Sequence, residues 1–137
     1  MIGCGVIANQ MAQSLALAGR KLAGVANRTL SKAQAFGEQY GVEKVYETVE
    51  DLYADPNIDA VYITTPHNTH ITYLRAALAA GKHVLCEKPI AAVPADAEAM
   101  RAAADDHQPG ATGGVRAASH KFAESADQVG VRSEEHT

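Results

Sequence analysis

Apolar positions recur along the first hundred residues in two alternating rhythms. Residues 8–18 carry helical spacing, with Ile7, Met11, Leu15 and Ala18 on one stripe and Gly19 as a stop. Residues 22–26 form a short apolar run that predicts a strand. Ser31 is placed to cap a helix running to Tyr40, with Gly41 beyond it. Residues 44–46 predict a weak strand. Thr48, with Asp51 three residues on, resembles a capping box for a short helix that Asp55-Pro56-Asn57 ends. Ala60-Val61-Tyr62-Ile63 predicts a buried strand, residues 69–80 a helix stopped by Gly81, and His83-Val84-Leu85-Cys86 a further strand. Pro94 suits the first turn of a helix reaching about Ala104. Met1-Ile2 reads as the tail of a first strand whose beginning is missing.

Strands separated by helices of 10–15 residues predict an α/β fold with a doubly wound parallel sheet. The pattern holds over residues 1–107, taken as one domain. It stops after His107: residues 108–137 hold Pro109-Gly110, Gly113-Gly114 and no four consecutive strong hydrophobes. A marginal helix at 117–126 is the most that this tail suggests, and no structure is assigned to the rest of it.

Composition narrows the function classes. A chain of 137 residues, 47% apolar and 20% charged, fits one soluble domain. A net charge of −4 gives no electrostatic case for nucleic acid. No apolar run approaches the ~20 residues that cross a bilayer, and nothing resembles a signal segment. A cytoplasmic location is therefore expected, with no membrane partner. Cys4 and Cys86 are too few for a disulfide framework and read as small buried residues.

The chemistry gathers where strands give way to loops. Gly3-Cys4-Gly5-Val6-Ile7-Ala8 fits G-x-G-x-x-G/A between a strand and a helix. Gly3 allows the tight turn, Gly5 lets a pyrophosphate approach the backbone, and Ala8 lets helix and strand pack closely. The helix N-terminus then offers unpaired N–H groups to phosphate. The competing reading is a glycine turn that serves packing alone. About 20 residues on, where an acid usually meets the ribose 2′-hydroxyl of NAD, stands Ala26-Asn27-Arg28-Thr29. Arg28 suits a 2′-phosphate, with Lys32 one turn further, so NADP is favoured and NAD is the alternative. A solvated arginine near a helix start is the bland reading.

Two further loops follow strands. Thr64-Thr65-Pro66-His67-Asn68-Thr69-His70 lies at the carboxyl edge of the sheet, where Thr64, Thr65 and Asn68 supply hydrogen-bonding groups. His70 equally suits a structural role, capping the next helix or packing on the loop. His67 and His70 have no carboxylate or cysteine at ligand spacing, so no metal is expected. Glu87-Lys88-Pro89 follows the next strand. Glu87 is placed to hold Lys88 by an ion pair, and a lysine there suits proton transfer at a substrate oxygen; a surface Glu-Lys-Pro without a role in chemistry is the competing reading, and the spacing alone favours it.

These motifs together resemble the glucose–fructose oxidoreductase/inositol dehydrogenase (Gfo/Idh/MocA) family. The likeness runs from Met1 to Ala104. Asp-Ala-Val-Tyr-Ile-Thr-Thr-Pro-His-Asn-Thr-His at 59–70 and Ala-Gly-Lys-His-Val-Leu-Cys-Glu-Lys-Pro at 80–89 are its most specific parts. The wording is most similar to the branch of dihydrodiol and xylose dehydrogenases. The resemblance implies a Rossmann domain in which Gly3, Gly5, Val6 and Ile7 hold the pyrophosphate and Asn27 and Arg28 read the ribose. Thr64, Thr65, Pro66, Asn68 and His70 would line the dinucleotide, and Glu87 and Lys88 would reach the nicotinamide, Lys88 as the catalytic residue. The implied reaction is hydride transfer between NADP(H) and a sugar, polyol or diol, in a homo-oligomeric parent. A non-catalytic nucleotide-binding sensor module is the alternative. The family would continue with a substrate domain that is not recognisable here, and residues 132–137 resemble a sequencing adapter. The expectation is thus a truncated sheet without its C-terminal substrate domain, an inactive fragment with a frameshifted or artefactual tail.

Overall fold

A computed structural model describes residues 1–107 of the chain; the readings that concern 108–137 lie outside the described residues. The elements run α1 (Val6–Leu17), β1 (Gly24–Val25), α2 (Leu30–Tyr40), β2 (Lys44–Val45), α3 (Val49–Ala54) and β3 (Ala60–Ile63). A 3₁₀ turn (His67–Thr69), α4 (His70–Ala79), β4 (His83–Cys86) and α5 (Pro94–His107) follow. Helix and strand alternate as the apolar spacing predicts.

Among the described residues all strand pairing is parallel. β1 pairs with β2, and β3 pairs with β4 in a register that runs from Ala60 opposite His83 to Ile63 opposite Cys86. Ile2 joins the two halves by parallel bridges to Ala26 and to Ile63. Its N–H donates to the Tyr62 carbonyl at 2.8 Å, its carbonyl accepts from Thr64 N–H at 3.0 Å, and Gly3 N–H donates to the Ala26 carbonyl at 3.0 Å. The spatial order is β2, β1, Ile2, β3, β4. The chain winds outward in both directions from one central segment, which is the doubly wound arrangement expected.

Both faces of this sheet are covered, because alternate side chains of each strand point to opposite faces. Met1 and Val25 pack with Ala8 and Ala12 of α1 and Phe36 of α2 on one face. Ile2, Ala26, Val61, Ile63 and Val84 pack with Leu52, Leu74, Leu78 and Met100 on the other. Burying one such aliphatic side chain contributes about 1.5–3 kcal/mol. Ala8 is fully buried, which is the close helix–strand approach predicted for it. Lys82 is buried as well; its ammonium donates to the Asp55 and Ile58 carbonyls at 2.7 and 2.6 Å and so ties down the chain between α3 and β3.

Helix starts depart from expectation in three places. α1 begins at Val6, two residues ahead of Ala8, because the turn ends at Gly5. α2 begins at Leu30 with Thr29, not Ser31, at its cap position. The Asn27 amide donates to the Thr29 carbonyl at 3.1 Å and turns the chain early, which leaves Ser31 inside the first turn. The 3₁₀ turn takes up Thr69, so α4 starts at His70; the Thr69 hydroxyl bonds the Pro66 carbonyl at 2.6 Å instead of heading a longer helix. The predicted cap of α3 is present: Thr48 Oγ1 accepts from Asp51 N–H at 3.1 Å.

Candidate functional site

Parallel pairing brings the loops after Gly3, β1, β3 and β4 to one edge of the sheet. Gly3 makes the first turn with φ +100°, and a Cβ there would lie 2.7 Å from Thr64 Oγ1, so neither conformation nor space admits a side chain. Gly5 then stands at the cap position of α1 in extended backbone. A Cβ on Gly5 would meet nothing within 4 Å. The turn therefore opens toward solvent at Gly5 and closes against the protein at Gly3.

The start of α1 is bare. No side chain caps it and its first turn holds no acid. The first backbone bond runs from Asn9 N–H to the Gly5 carbonyl at 3.1 Å, so the N–H groups of Val6, Ile7 and Ala8 precede any intrahelical partner. Val6 and Ile7 are 74% and 40% exposed despite being aliphatic. Aligned N–H groups, a partial positive charge and no covering side chain suit an anion.

Beside this turn lies a cavity of about 220 Å³. Cys4 and Gly5 form one wall, Asn27, Arg28, Thr29 and Lys32 a second, and Thr65, Pro66 and Thr69 with Tyr73 of α4 a third. Its lining carries two cations and no carboxylate. Of the residues singled out from the sequence, Gly5, Asn27, Arg28, Thr65 and Pro66 thus come together in one place, and Lys32 joins Arg28 as anticipated. Gly3, Val6 and Ile7 adjoin it in the phosphate turn. Cys4, Thr29, Thr69 and Tyr73 complete the wall without having been expected there.

Other candidate residues are placed differently. Thr64 supports the turn from below, its hydroxyl donating to the Ile2 carbonyl at 3.0 Å. Asn68 is exposed on the 3₁₀ turn. His70 is only 1% exposed, with Nε2 2.8 Å from the Thr65 carbonyl and Nδ1 3.0 Å from the Ile90 carbonyl. Both ring nitrogens are engaged by the protein, so His70 does not line the cavity. It ties the loop after β3 to the segment after Lys88-Pro89, which is the structural role open to it in the sequence.

Glu87 and Lys88 sit at the end of β4, Lys88 exposed and joined to Pro89 by a cis peptide. The expected Glu87–Lys88 ion pair is not formed. Glu87 accepts a short hydrogen bond from the Tyr62 hydroxyl through one oxygen and the Lys88 backbone N–H, at 3.1 Å, through the other. Burial first, and then the bond to Glu87, pushes the Tyr62 phenol up, so it remains a donor. Lys88 itself is exposed just beyond the end of β4. Both cysteines are half-buried and free. Burial raises the Cys4 thiol, while burial and then the charge of Glu87 push Cys86 up to about 12, so neither has thiolate character. Among the described residues no three His, Cys, Asp or Glu side chains gather as a metal site would require. No helix among them is long and apolar enough to cross a membrane.

Comparison with known proteins agrees with this geometry. Residues 1–112 match the model of the Gfo/Idh/MocA oxidoreductase family, NAD-binding Rossmann fold. Mouse trans-1,2-dihydrobenzene-1,2-diol dehydrogenase is 36% identical over 107 residues, covering 76% of this chain and 32% of its own length. The 1,5-anhydro-D-fructose reductase of Ensifer adhaerens is 35% identical over 105 residues, with coverage of 76% and 32%. Among solved structures, the 3-ketoreductase KijD10 of Actinomadura kijaniata, in complex with NADP and TDP-benzene, superposes with a TM-score of 0.69. Its identity is 32%, over 77% of this chain and 33% of that one. The chain spans about a third of the length of these relatives.

Proposed function

The chain belongs to the Gfo/Idh/MocA oxidoreductase family and carries its NAD-binding Rossmann fold, and from that premise we propose the NADP(H)-binding domain of a sugar, polyol or diol oxidoreductase. The carrying observation is the cavity beside the phosphate turn, where Arg28 and Lys32 stand with no carboxylate. An acid there would accept from a ribose 2′-hydroxyl and repel a 2′-phosphate; two cations do the reverse. The bare start of α1 would hold the pyrophosphate and the cavity the adenosine 2′-phosphate. The bound NADP(H) supplies or accepts the hydride. The names of the relatives, a diol dehydrogenase, an anhydrofructose reductase and a 3-ketoreductase, support a hydroxyl or carbonyl of a small polyhydroxylated molecule as the partner substrate.

In that reaction Lys88 would give or take the proton at the substrate oxygen. Glu87 accepts from the Tyr62 hydroxyl and from the Lys88 backbone N–H, one through each oxygen, and forms no ion pair with the Lys88 amine. A positioned acid–base group contributes about 10²–10⁴-fold in rate. In the full-length protein Lys88→Met is expected to lower kcat by about that range with NADPH affinity little changed. A kcat near that of the unaltered enzyme would remove Lys88 from the chemical step.

Fluorescence titration of NADPH and NADH tests the cofactor assignment directly. NADPH is expected to bind more tightly, by about 10-fold or more, the worth of a charge-assisted contact. Arg28→Asp is expected to reverse the order. Equal affinities, or tighter NADH, would overturn the assignment.

A further inference from the structure

The phosphate turn contains two residues, Cys4 and Gly5, whose peptide planes decide where its N–H groups aim. Asn9, one helical turn into α1, reaches back to both. Its side-chain amide donates to the Gly5 carbonyl at 2.8 Å and to the Cys4 carbonyl at 3.3 Å. In a planar trans peptide the C=O and N–H point in opposite directions. Drawing the Cys4 and Gly5 carbonyls to Asn9 therefore directs the N–H groups of Gly5 and Val6 away from it.

An asparagine amide can do this in one of its two orientations only, because two carbonyls need the NH₂ end. Tyr40, the last residue of α2, sets that orientation. Its hydroxyl donates to Asn9 Oδ1 at 2.5 Å. The same hydroxyl accepts, at 3.4 and 3.3 Å, from the amides of Gln13 and Gln39. With donors on its lone pairs, its one proton is committed to Asn9. The Tyr40 ring is held independently, 4.8 Å from Phe36.

We propose that Asn9 and Tyr40 form a clamp that presets the phosphate turn for the dinucleotide pyrophosphate. Both are positioning residues: neither lines the cavity, and they act through the peptide planes of Cys4 and Gly5. Gly5 is free to rotate on its own, so a turn without the clamp would have to be ordered by the ligand at a cost in affinity. The inference rests on the dinucleotide reading above and goes beyond it by naming what orients the turn.

The test uses the whole chain and two probes. NADPH engages the turn through its pyrophosphate; adenosine 2′-monophosphate carries the 2′-phosphate and no pyrophosphate. Tyr40→Phe keeps the ring on Phe36 and removes the hydroxyl. It is expected to weaken NADPH about 5-fold, the worth of one hydrogen bond, and to leave adenosine 2′-monophosphate unchanged by NMR titration. Asn9→Asp keeps the acceptor for Tyr40 but loses both donors, and is expected to weaken NADPH more than Tyr40→Phe does. In an Asn9→Leu background Tyr40→Phe should add nothing, since the clamp is already open. Unchanged NADPH affinity in Tyr40→Phe, or equal weakening of both probes, would overturn the clamp. If the unaltered, folded chain binds neither probe, the dinucleotide reading fails first and the clamp with it.

Discussion

At the start of α3 the Thr48 hydroxyl accepts the Asp51 N–H, and Glu50 and Asp51 occupy the first turn. At the start of α1 stand Gly5, no capping side chain, no acid, and two exposed aliphatic residues. Every helix presents the same unpaired N–H groups and the same partial positive charge at this end. α3 answers them within its own chain. α1 does not, and the arrangement around it makes the omission specific. Arg28 and Lys32 flank the cavity beside it, and the carbonyls of its turn are drawn aside by Asn9. A helix end that served folding alone would gain from the residues found at α3. The contrast teaches that α1 forgoes the local stabilisation that α3 has, at the helix end where the proposed function places the pyrophosphate.

Exchanging the two solutions tests the contrast most severely. Gly5→Asp would give α1 the cap that α3 has. The backbone at Gly5 is extended and its Cβ would meet nothing, so the substitution costs the fold no strain. An aspartate cap differs from glycine by a few tenths of a kcal/mol in the helix's favour. Toward the cofactor the same carboxylate would take the N–H groups and repel the pyrophosphate. Losing about two charge-assisted bonds, at roughly 1.5–3 kcal/mol each, predicts NADPH binding weakened by more than about 100-fold. The thermal midpoint should be unchanged or slightly raised. Undiminished NADPH binding in Gly5→Asp would break the comparison, because the start of α1 would then not be the anion site.

The contrast was partly open to reading from the amino-acid order. Gly3, Gly5 and Ala8 at their spacing, and Thr48 three residues before Asp51, are local patterns, and local patterns survive translation into structure. So did the helix–strand alternation and the strand-like reading of Met1-Ile2, which the bridges of Ile2 to Ala26 and Ile63 place at the sheet centre. What escaped is long-range. Tyr62 meets Glu87 across 25 residues because β3 and β4 are neighbours, and Asn9 meets Tyr40 across 31 because α1 and α2 share a face. Spacing along the chain carries no sign of either. The expected Glu87–Lys88 pair failed for the same reason: an adjacent partner was visible in the sequence, a better one across the sheet was not. Ser31 had the chemistry of a cap, but Asn27 had already turned the chain at Thr29. His70 lies in a loop rich in candidate ligand contacts, yet Thr65 and Ile90 take both its ring nitrogens.

The reciprocal exchange is smaller in effect and sharpens the comparison from the other side. Thr48→Ala removes the hydroxyl that accepts the Asp51 N–H and leaves the six-residue α3 with an unpaired donor. Loss of such a cap costs about 1 kcal/mol, which for a domain of this size lowers the thermal midpoint by roughly 4–8 °C. Leu52 and Tyr53 of α3 are packed into the core, so the helix should loosen at its first turn without leaving the sheet. None of the residues around the cavity belongs to α3. NADPH affinity, measured well below the midpoint, is therefore expected to stay within about twofold, since surface changes away from a contact rarely exceed about 0.5 kcal/mol. The pair of results would separate the two helix ends: stability moves and binding does not at Thr48, binding moves and stability does not at Gly5. If Thr48→Ala weakened NADPH as strongly as Gly5→Asp, both substitutions would be acting through general loosening of the domain. The bare start of α1 would then lose its special standing.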